Sequence, residues 1–224
     1  LEAAANAGLP VVEGYGLTES SPVAAVNPLD DTRRAGSIGR AVGWTTIEFR
    51  ALDNRSVPVA DGEKGELCIK GPQVMKGYWK RPDETGQTIE DGFLHTGDVG
   101  YRDADGFIYL VDRIKDLILC SGYNVYPRVI EEALYQHPAV EETIVIAVPD
   151  EYRGQAPKAF IKVRAGHSVS ADDIKTFLKG HLSAIELPRE IEFREALPKT
   201  MVGKLSKKEL VEEEAAKRAK APAA

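Results

Sequence analysis

The 224-residue chain has few of the residues that build disulfide or metal scaffolds. It contains 2 cysteines and 4 histidines, and Cys68 and Cys120 lie far apart without the spacing of metal ligands. We therefore expect neither a disulfide framework nor a zinc site. Cys120 is interpreted as a small buried apolar residue.

Long apolar runs and an excess of positive charge are also missing. No apolar run approaches the roughly 20 residues that span a bilayer, and the N-terminus lacks a basic segment followed by an apolar one, which favours a cytoplasmic location. The formal net charge of −6 argues against nucleic-acid binding, because such binding depends on basic surface. Without internal repeats or low-complexity linkers, a chain of this length holds one large or two small domains.

The first half of the chain is patterned for short β-strands. Residues 9–13 (LPVVE) predict a buried strand, and the glycines that follow let the backbone turn sharply. Thr18 and Glu19 are then expected at a strand's carboxyl end, where ligands often bind in α/β sheets. Other features predicted here are strands over 46–51, 65–70 and 107–111, a hairpin turn at Asp105 and Gly106, and a short helix from residue 80.

The second half is patterned for an α+β domain. Pro127 opens a helix that ends at His137, and Ser170 with Asp173 predicts a capping box for the next helix. Strands over 143–148, 158–163 and 191–193 and a solvated helix over 209–220 complete the pattern. The result is a compact domain of about 110 residues, large enough to fold alone.

Four motifs carry chemistry: residues 14–20 (GYGLTES), 95–98 (HTGD), 112–127 (from DRIKD to SGYNVYP) and 198–204 (PKTMVGK). In the last, Pro198 limits the backbone and Gly203 permits close approach, so the loop can present Lys204 to an anion. A lysine after a turn is, on its own, more simply a solvated residue. In order and spacing the four motifs resemble the second half of the adenylate-forming enzymes, which include acyl-CoA synthetases, firefly luciferase and the adenylation domains of peptide synthetases. GYNVYP and LPKTMVGKL look most like bacterial medium- and long-chain fatty acyl-CoA ligases.

This resemblance implies a fold and an activity. Residues 1–112 would be the end of a large ATP- and acyl-binding domain with a small β-barrel subdomain, and 113–224 a mobile α+β lid domain. The activity would be formation of acyl-AMP from ATP and a carboxylic acid, followed by transfer to coenzyme A. The Ser/Thr/Gly-rich phosphate loop of the family is expected upstream of Leu1, and residues 1–8 resemble the end of a helix. We therefore predict a fragment that is inactive alone.

The resemblance also implies residue roles. In the magnesium-dependent adenylation step, Glu19 is the metal ligand and Thr18 meets the α-phosphate region. The nucleotide contacts are adenine for Tyr15, the ribose for Asp98 and Arg113, and cofactor binding without a finer role for Gly16. Lys204 contacts the acyl carboxylate and the bridging oxygen, Lys115 is the hinge, and Gly122 belongs to the thiol tunnel. Taken singly, Asp98 could be a turn-capping aspartate, Arg113 a surface ion-pair partner and Lys115 a linker residue.

Two departures from the family pattern and several alternatives stay open. Leu119 stands where luciferase-like members have a second lysine, and Val129 stands where a glutamate is usual. The alternatives are an aryl- or short-chain-acid CoA ligase, an acyl-AMP ligase that serves a carrier protein, and a non-catalytic binding module. Beyond the acid and coenzyme A, the expected partners are a membrane surface, contacted peripherally through the lipid substrate, and a protein acetyltransferase that modifies Lys204; no nucleic acid is expected.

Overall fold

The computed structural model describes residues 7–9 and 11–220, and the chain divides into two compact units, Leu1–Ile114 and Lys115–Ala224. Both units are mixtures of strands and helices, as the α+β prediction requires. The predicted helix end over residues 1–8 lies almost entirely outside the described residues. Within the described part, no helix is long and apolar enough to cross a membrane.

The first unit contains a three-stranded and a five-stranded sheet. The three-stranded sheet has the order β1-β2-β3, with β1 at Gly14–Gly16, β2 at Val23–Val26 and β3 at Arg40–Ala41. The strands of the second sheet are β4 (Thr46–Arg50), β5 (Gly65–Lys70), β6 (Ile89–Glu90), β7 (Phe93–Arg102) and β8 (Ile108–Arg113). Its order is β4-β5-β7-β6, with β8 also paired to β7, and helix α1 (Pro82–Thr88) precedes β6.

Two expectations for this unit need correction. The strand predicted over 9–13 is wrong: residues 11–13 have no regular structure, and Val11 is 44% exposed. The strand begins at Gly14, the partner of Val26 at the end of β2. Before Gly14 the pairing continues by one backbone hydrogen bond, from the Asn27 N–H to the Glu13 carbonyl at 2.8 Å, which is too little to extend the strand to residue 9. The expected β-barrel is also not closed, because β4 pairs with β5 and with neither β6 nor β8 in the described structure.

The second unit is a five-stranded sheet with helices. Its elements are β9 (Ile118–Cys120), β10 (Tyr123–Val125), α2 (Pro127–Tyr135), β11 (Val140–Asp150), β12 (Gly154–Val163), α3 (Ala171–Leu178), β13 (Glu190–Phe193) and α4 (Lys207–Lys220). The strand order is β10-β9-β12-β11, and β13 pairs parallel to β12. The predicted order from α2 to α4 is confirmed, as is the capping box of Ser170 and Asp173.

Alternating side chains give this sheet two apolar faces. Ile130 of α2 and Ile174 of α3 are fully buried in a cluster that includes Cys120. Phe160 of β12 belongs to a separate cluster with Leu210 of α4. Cys120 is therefore a buried, unpaired thiol, as predicted. A sheet covered on both faces is a rigid frame for the loops that its strands carry.

Candidate active site

The GYGLTES motif forms β1 and the tight turn after it. A side chain at Gly16 would meet the carbonyl of the adjoining chain, because an added Cβ would lie 1.5 Å from the Pro22 oxygen. The Ser20 hydroxyl accepts a hydrogen bond from the Leu17 N–H (3.0 Å), which holds the short 3₁₀ helix Thr18–Ser20. The motif therefore needs a glycine at position 16 and leaves Thr18 exposed at the turn.

Asp98 contacts two other predicted nucleotide-binding residues, Tyr15 and Arg113. The Tyr15 hydroxyl donates to Asp98 Oδ2 at 2.5 Å, and Arg113 Nε lies 2.9 Å from Asp98 Oδ1. Asp98 and Arg113 are cross-strand partners on β7 and β8. Burial and the hydrogen bond to Asp98 raise the pKa of Tyr15, so its phenol stays a protonated donor. Asp98 is buried, and each oxygen of its carboxylate has one of these two partners.

Glu19 has a partner that the sequence reasoning missed. The Tyr78 hydroxyl donates to Glu19 Oε1 at 2.9 Å, and the hydrogen bond to this carboxylate raises the Tyr78 pKa. The Met75 N–H also donates to the Glu19 carbonyl oxygen at 2.8 Å. The segment before α1 is thus fastened to the GYGLTES turn. The only sequence signal for this contact was Tyr78 itself, an aromatic hydroxyl shortly before a predicted helix.

A cavity of about 520 Å³ lies in the first unit beside these groups. Its volume is typical of a small-molecule site. The lining is mostly polar and includes Glu19, Tyr78, Thr96, Gly97 and Arg113. Glu19 offers the hard carboxylate oxygens that Mg²⁺ prefers, and Arg113 offers a cation, so the lining fits a polyanion that arrives with a divalent metal.

The PKTMVGK loop presents Lys204 at the surface of the second unit. The Thr200 N–H donates to the Lys204 carbonyl at 2.7 Å, and Gly203 takes the left-handed conformation (φ +80°) that the turn needs. Lys199 pairs with Glu142, whereas Lys204 is exposed and has no carboxylate within ion-pair distance in the described parts of the chain. The loop thus fixes the backbone of Lys204 and leaves its ammonium group available.

The two remaining predicted residues are Gly122 and Lys115. Gly122 lies in the turn between β9 and β10 with φ +82°, and an added Cβ would meet no atom within 4 Å. Lys115 is exposed and lies in the 3₁₀ helix Ile114–Asp116, where the second compact unit begins.

Comparison with known proteins gives matches over most of the chain. The AMP-binding enzyme model matches residues 1–79, and the model of the AMP-binding enzyme C-terminal domain matches residues 129–204. Long-chain-fatty-acid–CoA ligases of Bacillus subtilis and Salmonella typhimurium are 45% and 48% identical over 205 and 203 residues. These alignments cover 91% of this chain and 36% of each relative, so the chain spans about a third of their length.

A solved structure matches the fold as well. The crystal structure of ATP-bound MatB from Rhodopseudomonas palustris superposes with a TM-score of 0.87 at 32% identity, over 95% of this chain and 42% of that one. The chain belongs to the adenylate-forming superfamily of AMP-binding enzymes.

Proposed function

We propose that this chain is the C-terminal part of a fatty acid–CoA ligase. The enzyme forms acyl-AMP from a fatty acid and ATP, releases pyrophosphate and then transfers the acyl group to coenzyme A. The observation that carries the proposal is the buried carboxylate of Asp98, held by Tyr15 and Arg113 within the same unit as the Glu19-lined cavity. The identity to long-chain ligases supports the acid class.

The nucleotide contacts follow from the chemistry of these groups. An ionised carboxylate only accepts hydrogen bonds and has about four acceptor sites, so Asp98 retains capacity for the two ribose hydroxyls beside its protein partners. Arg113 reaches the same ribose, and Tyr15 lies against adenine. Gly16 keeps the turn close enough for Thr18 to meet the α-phosphate.

Adenylation joins two anions, so positioning and positive charge make up most of the catalysis. Glu19 would hold Mg²⁺, which neutralises phosphate charge when it is bound. The exposed ammonium group of Lys204 contacts the acyl carboxylate and the bridging oxygen. Support for this role is that the turn fixes the Lys204 backbone while its side chain stays without an ion-pair partner in the structure as described.

Thioester formation needs the same site in a second arrangement. Lys204 must leave, and the pantetheine thiol must enter where Gly122 lines its tunnel. Lys115 is the hinge in this proposal, and its place at the boundary of the two compact units supports that role. Leu119 is 56% exposed and uncharged, so no second lysine at this position assists the thioester step.

The finer parts of the proposal concern partners and location. The enzyme works in the cytoplasm and contacts a membrane peripherally to collect its lipid substrate. A protein acetyltransferase modifies Lys204, and the exposure of this side chain supports access. Acetylation would silence adenylation, because it removes the positive charge of the lysine.

Pyrophosphate release tests the proposed function. The sample is the complete enzyme, in which an upstream portion with a phosphate loop accompanies this chain. We expect pyrophosphate only when a fatty acid is present, and acyl-CoA only when coenzyme A is added. Aryl and short-chain acids are the comparison substrates. If they are turned over faster than fatty acids, the substrate is an aryl or short-chain acid and not a fatty acid.

The chain alone, as given by its 224 residues, is the second arm of this experiment. We expect no acid-dependent ATP turnover from it, since it lacks the phosphate loop. Acyl-AMP formation by a clean preparation would contradict that expectation. A complete enzyme that binds ATP and turns over none of the acids would instead be a binding module.

A further inference from the structure

The strand that carries the HTGD motif is bulged at this motif. In the β5–β7 ladder, Glu66 pairs with Val99 and Cys68 pairs with His95, so two steps along β5 correspond to four along β7. Residues 96–98 are therefore out of register with β5. Bulges of this kind re-aim a side chain and free backbone groups from the ladder, and here the re-aimed side chain is that of Asp98.

The Glu66 side chain takes over part of the missing ladder. Its Oε1 accepts the Gly97 N–H at 3.0 Å, and its Oε2 lies 2.8 Å from His95 Nδ1. Glu66 is only 2% exposed, so its carboxylate depends on these protein contacts. One buried side chain thus holds residues on both sides of Thr96.

Thr96 closes the other side of the bulge. Its hydroxyl donates to the Leu67 carbonyl at 2.7 Å and accepts the Asp98 N–H at 3.1 Å. The backbone leading into Asp98 is consequently held by two side chains, those of Glu66 and Thr96. Of these, Glu66 lies outside every motif identified in the sequence.

A metal site is the competing interpretation of this cluster. Glu66, Cys68 and His95 are buried, and each offers a ligand atom within 4.8 Å of the others. However, the guanidinium Nε of Arg55 lies 3.3 Å from Glu66 Oε2 and 3.2 Å from His95 Nδ1. A cation that already occupies this position opposes a second one. The contacts instead describe a charge-compensated hydrogen-bond network.

We propose that Glu66 is a positioning residue for nucleotide selection. By holding Gly97 and His95 across the bulge, it keeps the Asp98 carboxylate turned toward the ribose hydroxyls. The inference rests on the proposed function of Asp98. Glu66 also lines the cavity, but its carboxylate is engaged by Gly97, His95 and Arg55, so we assign to it no contact with substrate. Its removal acts on ribose recognition through Asp98.

The discriminating measurement is the preference of the complete enzyme for ATP over 2′,3′-dideoxy-ATP. Loss of Glu66 leaves the Gly97 N–H without its acceptor, and the backbone that carries Asp98 loses one of the two side chains that hold it. We expect Glu66→Ala to lower the ratio of kcat/KM values for the two nucleotides about tenfold, the size of one hydrogen bond to a charged group. Glu66→Gln retains an acceptor for Gly97 and should keep the ratio within about threefold of the wild type.

Two further variants complete the experiment. Glu90→Ala removes an exposed carboxylate from β6 of the same sheet, and we expect no change in the ratio. Glu66→Asp keeps the charge but is one methylene too short for both contacts. If the alanine variant fails to fold, the aspartate variant decides, and its ratio should also fall.

The outcomes separate the two proposals. An unchanged ratio in Glu66→Ala or Glu66→Asp, even with equal losses for both nucleotides, would make Glu66 a purely structural residue and overturn the inference. If the wild-type enzyme shows acid-dependent turnover and the variants keep the wild-type nucleotide ratio, only the inference about Glu66 fails, and the proposed function is retained. A wild-type enzyme without acid-dependent turnover would overturn the proposed function and this inference with it.

Discussion

Single residues of the 198–207 segment differ in how their charges are engaged. Lys199 pairs with Glu142, and Lys207 lies 3.2 Å from Glu131. Lys204 has no such partner in the described structure, although it lies between them in the sequence. An ammonium group without a local carboxylate has no ion pair to break before it binds an anionic ligand. The neighbouring lysines are therefore natural controls for Lys204.

Lys204→Ala should abolish most of the adenylation activity of the complete enzyme. Losing one preorganised charge contact costs on the order of 10²–10³ in rate. Thioester formation from a supplied acyl adenylate should be spared, because in the proposed mechanism the lysine leaves the site for that step. Rapid-mixing assays of the two half-reactions measure both effects.

The matched control is Lys199→Ala, which breaks an ion pair on the surface of the second unit. Exposed pairs contribute about 0–1 kcal/mol, so both half-reactions should stay near wild-type rates. Equal losses in the two steps of Lys204→Ala would remove its assigned role.

At the scale of elements, local signals were sufficient for the second unit. The helix that begins at Pro127 and the capping box of Ser170 depend on neighbouring residues, and both are present. The strand β7 was missed because its bulge at residues 96–98 interrupts the period of two. Contacts to Glu66 and Tyr78 could not be predicted, because they join residues about 30 to 60 positions apart.

The same contrast between local signals and long-range contacts applies to the candidate site. The motifs placed Asp98 and Arg113 on segments that the hairpin of β7 and β8 makes adjacent, and the signal at Asp105 and Gly106 predicted its turn but not the strand β7 before it. The strand predicted over 9–13 failed for the opposite reason. Its apolar residues suggested burial, but a strand also requires a partner, and the pairing with the β2 segment extends past Gly14 by a single hydrogen bond, at Glu13.

An ionic cluster fastens α4 to the sheet of the second unit. The buried ammonium group of Lys158 lies 2.9 Å from Glu192 and 3.0 Å from Glu214 of α4. Burial alone would raise the pKa of Glu192, but hydrogen bonds from Lys158, Lys217 and Arg194 lower it to about 2. The folded unit therefore favours the ionised form of Glu192 more than the unfolded chain does.

This cluster predicts how stability depends on pH. A lowered folded-state pKa contributes stability above the unfolded value of about 4.5, and that stability is lost as the pH falls from there toward about 2. Glu192→Gln should lower the free energy of unfolding by on the order of 2 kcal/mol at pH 7. It should also weaken the decrease in stability that follows as the pH falls below about 4.5.

Hydrogen exchange of the β12 amides is the suitable measurement, because both tryptophans, Trp44 and Trp79, lie in the first unit. Glu195→Gln, two residues beyond β13 and exposed, is the control and should retain the wild-type pH profile. A Glu192 variant with that same profile would show that the cluster contributes nothing to the pH dependence.

At the scale of the whole molecule, each unit has its own buried core. Ile69 and Leu94 belong to the core of the first unit, and Ile161 and Ile174 to that of the second. The boundary falls at Lys115, where a short 3₁₀ helix joins the two. A chain with separate cores can change the backbone angles of one residue between them without disrupting either core.

Lys115→Pro is expected to separate the two half-reactions in the reverse sense to Lys204→Ala. Proline fixes φ near −65°, so a hinge at this position loses the rotation that the second step requires. We expect thioester formation to fall about 10²-fold, the cost of a misplaced reacting group, while adenylation changes little. Lys115→Ala removes the same charge and keeps the backbone free, so it should match the wild type in both steps. If the proline variant forms acyl-CoA at the wild-type rate from a supplied adenylate, the hinge does not lie at Lys115.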